Sequence, residues 1–143
     1  MEIKHLNTES DILLGYPVMK HLRTHLDEKS YLSLVKEAQQ QESYQLVGVF
    51  DNSRLVAVTG FMPMVTLYNG KFIWVCDLVT DPDVRSKGYG EALLTYVHDW
   101  AQEQGYNKVS LSSGLQRTDA HRFYEEKMKY DRVSYVFLKK LGS

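Results

Sequence analysis

The sequence predicts an α/β fold in which one mixed β-sheet is flanked by about four helices. Three observations lead there. A nearly all-apolar strand over 72–80 is followed by a helix carrying Leu93, Leu94, Val97, Trp100 and Ala101 at helical spacing. A short strand over 108–112 comes next, and a strand, helix and strand in that order form a βαβ unit with parallel strands. Upstream, strand-like segments over 44–50 and 54–65 are separated only by Asp51-Asn52-Ser53, which implies an antiparallel hairpin. No repeat, low-complexity tract or linker divides the chain, so residues 1–143 are expected to form a single domain.

Each element follows from local chemistry. A first short strand is expected over 3–6, and Ser10-Asp11 are placed to cap a helix that Gly15 and Pro17 then break or kink. From Asp27, the spacing of Tyr31, Leu34, Val35 and Ala38 puts apolar groups on one face of a second helix. Pro63 makes the strand over 54–65 an edge or a bulged strand, because proline donates nothing to a ladder. Asn69-Gly70 is the strongest hairpin signal, suited to a type I′ turn. The main helix is expected over 89–104, ended by Gly105. Thr118 is placed to cap a helix reaching Lys127, and 130–141 reads as a final strand.

The composition bounds the function. With 143 residues, 43% of them hydrophobic and 24% charged, the chain fits an ordinary globular domain. A domain of this length buries roughly 68–70% of its unfolded surface, so its core needs neither disulfide nor metal. Cys76 is the only cysteine and cannot form an internal bridge, which agrees with a reducing compartment and an expected cytoplasmic location. Residues 1–10 lack the apolar stretch of a secretion signal, and no window approaches a membrane span. A formal net charge of −1 with scattered Lys and Arg gives no field for a phosphate backbone, so neither nucleic acid nor membrane is an expected partner.

The chemistry concentrates at Arg85-Ser86-Lys87-Gly88-Tyr89-Gly90, between the apolar strand and the main helix. Two glycines permit a tight turn whose N–H groups converge, and the helix that follows adds unpaired donors and the positive end of its dipole. With Arg85 and Lys87 beside them, a pyrophosphate is a natural ligand. An ordinary strand-to-helix loop would read the same on physics alone. A dinucleotide fingerprint is excluded because Leu93 stands where its third glycine belongs, and no G-x-x-x-x-G-K-[ST] phosphate loop occurs.

Arg85-x-x-Gly88-x-Gly90 resembles the hallmark of the GNAT N-acetyltransferase superfamily, R/Q-x-x-G-x-G/A at the start of a helix after an apolar strand. Asp77-Leu78-Val79 and the helix containing Ala120-His121-Arg122-Phe123-Tyr124-Glu125 fall in the family's order. The segment 112–124 is most similar to the small aminoalkylphosphonate and aminoglycoside N-acetyltransferases. The resemblance implies a centrally splayed sheet, with the pantetheine arm of acetyl-CoA, the acetyl-donor cosubstrate, lying in the gap. On that basis Leu78 and Val79 offer backbone groups to the arm, and the amide near Val79 polarises the thioester carbonyl, an oxyanion-type contact. Arg85, Ser86, Lys87, Gly88, Tyr89 and Gly90 hold the pyrophosphate, and Tyr124 protonates or hydrogen-bonds the departing thiolate. Asp77 takes the place where such enzymes keep an acidic base, with simple hydrogen bonding to nearby backbone as the alternative. Arg117 stands where the family usually has Asn, and an arginine there could still reach a carbonyl or phosphate of the cofactor.

Other candidates weigh less. His21 and His25 share a helix-face spacing, but Leu22 stands where a catalytic H-E-x-x-H motif needs Glu, so no metal site is expected. His121 reads as a structural histidine, and Cys76, in an apolar strand, reads as a buried thiol and not an acyl carrier. Two functions remain. One is direct acetyl transfer to a small-molecule or peptide amine in a ternary complex, and the other is a non-catalytic acyl-CoA-binding module. The apolar, β-branched segment 130–141 would leave an edge open to pairing, so a homodimer is expected in which these strands meet or cross near the acceptor sites.

Overall fold

The computed structural model describes residues 1–142, which fall into two compact units, Met1–Leu111 and a second beginning at Ser112. The first unit contains the sheet. Five strands, β1 (Glu2–His5), β2 (Gln45–Asp51), β3 (Arg54–Thr66), β4 (Gly70–Thr80) and β5 (Val109–Leu111), lie side by side in sequence order. Pairing is antiparallel from β1 to β4 and parallel between β4 and β5, so the sheet is mixed as expected.

Helices α1 (Glu9–Leu14) and α2 (Tyr16–Met19) are separated at Gly15, with Pro17 in the first turn of α2, where the missing N–H of proline is tolerated. The cap of α1 is Thr8, two residues before Ser10, and its side chain accepts from the Asp11 amide at 3.1 Å. α3 (Glu28–Glu42) is capped by Asp27 and buries Tyr31 and Val35, while Leu34 is exposed. Leu6, Ile12, Val18, Met19, Tyr31, Val35, Leu46 and Val58 pack into one apolar cluster. α4 (Tyr89–Glu103) packs on β2, β3 and β4 through Leu93, Leu94, Val97 and Ala101, with Trp100 edge-on to Phe61 at 5.0 Å. Among the described residues, no helix is long and apolar enough to cross a membrane.

The turns depart from expectation in an instructive way. Asp51 pairs with Arg54, and the two residues between them, Asn52 and Ser53, both have positive φ, so the type I′ geometry belongs to this hairpin. Thr66 pairs with Gly70 across three loop residues, and only Gly70 has positive φ. Pro63 sits beyond the last β2 pairing at Phe61, where β3 has a neighbour on one side only. That one-sided stretch tolerates proline.

The second unit contains α5 (Thr118–Arg122), which continues as a π-helical turn over Phe123–Lys127. Thr118 is the first helical residue and not the cap; Arg117 holds that position and its side chain makes no capping bond. The final strand expected over 130–141 is absent: residues 128–142 form no ladder. A strand exists only through a paired neighbour, and local apolar, β-branched character does not supply one. Val133, Tyr135, Val136, Phe137, Leu138 and Leu141 are all exposed as a result.

Candidate active site

The loop from β4 to α4 has the geometry that its sequence calls for. Asp81 caps a 3-10 turn over Pro82–Val84 and accepts from the Asp83 amide at 2.9 Å. Ser86 and Gly88 both have positive φ, at 66° and 84°. Gly88 is the N-cap of α4, and no side chain caps the helix there. A Cβ built on Gly88 would meet no atom within 4 Å, so the backbone faces open space at the positive end of a fifteen-residue helix. Arg85 and Lys87 are exposed beside it. This cradle fits an anionic group.

The β2–β3 hairpin braces the loop. The Tyr89 hydroxyl donates to Asp51, a bond that, more than burial, raises the tyrosine's pKa. Arg54 donates to Asp81 at 2.5 Å, and the Asp81 amide donates to the Val56 carbonyl at 2.8 Å. The exposed ion pair alone contributes little, about 0–1 kcal/mol. Together the three contacts fix where the loop leaves the sheet.

β4 itself opens toward β5. The parallel pairing covers only Ile73, Trp74 and Val75, and β4 then runs on through Cys76 to Thr80 with no β5 partner. The divergence coincides with a bulge. Gly60 faces Asp77 and Phe61 faces Val75, so Cys76 is the extra residue on β4. Bulges leave a residue out of the ladder, and a buried carbonyl left without a donor costs about 1–3 kcal/mol. Here Arg23 Nη2 donates to the Cys76 carbonyl at 2.7 Å, and Thr59 Oγ1 donates to the Asp77 carbonyl at 2.8 Å.

The same arginine holds the Asp77 carboxylate. Arg23 Nε donates to Oδ1 at 2.8 Å, and the Tyr44 hydroxyl donates to Oδ2 at 2.7 Å. Burial first, and then the Asp77 charge, push the Tyr44 pKa well above that of a free tyrosine. The same two influences raise the Cys76 thiol to about 12, with Arg23 opposing them. The thiol is therefore protonated at neutral pH. Asp77, Leu78 and Val79 thus stand together on the open stretch of β4, next to the strand end from which the loop to α4 departs.

In the second unit Tyr124 is buried, with Phe123 at 5.4 Å and Tyr130 at 6.1 Å between ring centroids. Burial raises its pKa and the Arg117 charge works against that rise. The phenol is a donor throughout the neutral range. His121 is tied to the Gly114 carbonyl at 2.8 Å, which agrees with a structural role. Ser113 Oγ is buried without a hydrogen-bond partner, an orphaned polar atom that sequence reading passed over.

An uncapped helix start behind R-x-x-G-x-G, reached from a bulged strand that parts from its parallel neighbour, narrows the family, and residues 11–130 match the acetyltransferase (GNAT) family. The chain belongs to the GNAT acetyltransferases. It is 45% identical over 139 residues to the uncharacterized N-acetyltransferase YhdJ of Bacillus subtilis (strain 168), covering 97% of this chain and 98% of that protein. It is 23% identical over 124 residues to the aminoalkylphosphonate N-acetyltransferase of Salmonella typhimurium, covering 86% and 80%. An aminoglycoside N-acetyltransferase in complex with CoA superposes with a TM-score of 0.85 at 13% identity, over 99% of this chain and 95% of that one. The mixed GNAT fold expected from the sequence is the fold observed, and the chain is an acetyltransferase.

Arg23, Tyr44, Thr59 and Gly60 escaped the sequence reading. The hydrogen bonds of Arg23, Tyr44 and Thr59 to β4 span 18 to 54 residues of chain. The one available signal was Gly60 inside an apolar strand, a common mark of a bulge or close approach.

Proposed function

We propose that this GNAT protein transfers an acetyl group from acetyl-CoA to a primary amine, by direct attack within a ternary complex and in one domain formed by both compact units. The observation carrying this reading is the conjunction of two features. The cradle at Gly88 is open and uncapped, and the neighbouring stretch of β4 has lost its β5 partner. A ligand with a pyrophosphate and an extended amide-bearing arm needs both. Arg85, Ser86, Lys87, Gly88, Tyr89 and Gly90 would hold the pyrophosphate. The backbone of Leu78 and Val79 would bind the arm, and Arg117 would add a further polar contact. The bound thioester supplies the activated acetyl group.

Tyr124 is assigned to the departing thiolate. Its raised pKa keeps the hydroxyl protonated and makes it a hydrogen-bond donor first and a proton donor second. Asp77 is assigned to the amine, as the carboxylate that draws its proton away. Arg23 and Tyr44, one on each carboxylate oxygen, hold it in place. The acceptor is a small-molecule or peptide amine, and the aminoalkylphosphonate relative makes amines with an acidic group the first to test. Binding of acetyl-CoA, together with release of its free thiol when amines are added, tests this reading.

The reading includes a cytoplasmic homodimer. Along 133–141, Val133, Tyr135 and Phe137 alternate with Val136 and Leu138, so both faces of an extended segment are apolar and exposed. A segment apolar on both faces suits a strand covered on both sides. A second copy offers the same segment and a β5 whose outer side, among the described residues, pairs with no strand. Sedimentation at micromolar concentration should give a dimer, and deletion of residues 135–143 should give a monomer with impaired turnover. A monomeric, fully active wild type would remove the dimer and leave the acetyltransferase reading in place.

A further inference from the structure

Arg23 lies in the connection between α2 and α3, yet its guanidinium reaches the middle of β4 and bonds there in two directions. Nε meets the Asp77 carboxylate at 2.8 Å, and Nη2 meets the carbonyl of the bulged Cys76 at 2.7 Å. The planar fork of arginine suits this task, since its donors are held at a fixed separation, whereas an ammonium is a single point charge on a flexible stem. Tyr44 takes the other Asp77 oxygen, and Thr59 takes the Asp77 carbonyl. The bulge is thus held by three side chains from three separate parts of the chain: the α2–α3 connection, the α3–β2 junction and β3. It is also the place where β4 stops pairing with β5, one residue beyond Val75.

We propose that Arg23 is a positioning residue for the acetyl donor. It acts through the bulge at Cys76, which sets the direction of the Leu78 and Val79 backbone, and it does not itself touch the nucleotide end. The inference rests on the proposed use of this β4 stretch by the pantetheine arm. It adds a division of labour. The loop over 85–90 grips the pyrophosphate without help from Arg23, while the arm is aligned only when the Arg23 fork is intact.

The test compares two ligands on the full chain. Arg23→Gln should weaken acetyl-CoA binding by about tenfold or more, because a pre-aligned surface is lost, while affinity for ADP, which has a pyrophosphate but no arm, stays within twofold. Arg23→Lys should recover thermal stability but not acetyl-CoA affinity, because it restores the charge opposite Asp77 without the second prong. Equal weakening of both ligands by Arg23→Gln, or full recovery of acetyl-CoA affinity by Arg23→Lys, would overturn the proposal. Failure of the wild type to bind acetyl-CoA would instead refute the reading on which it rests. Unfolding midpoints of all three proteins, measured alongside, separate lost alignment from lost fold.

Discussion

Tyr44 occupies the space that a side chain at position 60 would need: a Cβ built on Gly60 would lie 1.7 Å from the Tyr44 hydroxyl and 2.3 Å from its ring carbon Cζ. That hydroxyl donates to Asp77, so the glycine seats the tyrosine against the carboxylate. Gly60→Ala should therefore displace a buried ring. Overpacking of this kind costs typically about 1–3 kcal/mol, which urea unfolding reads directly. An unchanged midpoint would mean that Tyr44 is not seated there.

Gly88 predicts a different signature. Its positive φ resists a β-branched residue, but nothing crowds the Cβ. Gly88→Val should cost only the backbone strain, about 1–3 kcal/mol, and the protein should remain folded. Acetyl-CoA affinity should fall sharply, because the loop's N–H groups would shift and the new side chain would enter the cradle. Unchanged affinity in the folded variant would remove the loop from cofactor binding.

Why one glycine was legible and the other was not is a matter of range. The need for positive φ at Gly88 is local, and the helix that it opens announces itself through Leu93, Leu94 and Val97. The need for a bare backbone at Gly60 arises from Tyr44, on a strand boundary sixteen positions away. The same limit applies to Arg23, whose partners on β4 have no sequence relation to it. It applies again to the segment over 130–141, whose apolar, β-branched residues suggest a strand that does not form, because pairing depends on a neighbour. Asn69-Gly70 is the stronger type I′ dipeptide, yet that turn forms at Asn52-Ser53, because turn type follows strand register as well as composition.

Cys76 gives a pH-dependent test. Its folded pKa of about 12 lies above an ordinary value of 9.0, so the native state keeps a proton that the unfolded state releases. The stabilising difference is fully present below pH 9 and is lost as pH rises toward 12. Tyr44 acts in the same direction above its ordinary value of 10. Stability should decline with alkalinity from about pH 9, more steeply in the wild type than in Cys76→Ala. Thiol reagents at neutral pH should label the native protein far more slowly than the urea-unfolded chain. Fast native labelling would return Cys76 to consideration as a nucleophile.

Tyr124→Phe removes only a hydroxyl from a buried ring. If that hydroxyl serves the departing thiolate, turnover should fall by about 10²-fold with little change in acetyl-CoA affinity. Wild-type turnover in the variant would leave Tyr124 as packing against Phe123 and Tyr130.

The central claim is that the open cradle at Gly88 and the unpaired stretch of β4 serve acetyl transfer to an amine. The measurement that tests it most directly is release of free CoA thiol from acetyl-CoA by the purified protein, across aminophosphonates, amino acids, polyamines and peptides with a free amino terminus. The same preparation is titrated with acetyl-CoA alone. Acetyl-CoA should bind saturably and thiol release should depend on the amine, with the acetylated amine recovered as product. Tight binding without release for any amine would make the chain an acyl-CoA-binding module, and no binding at all would contradict the account at its root.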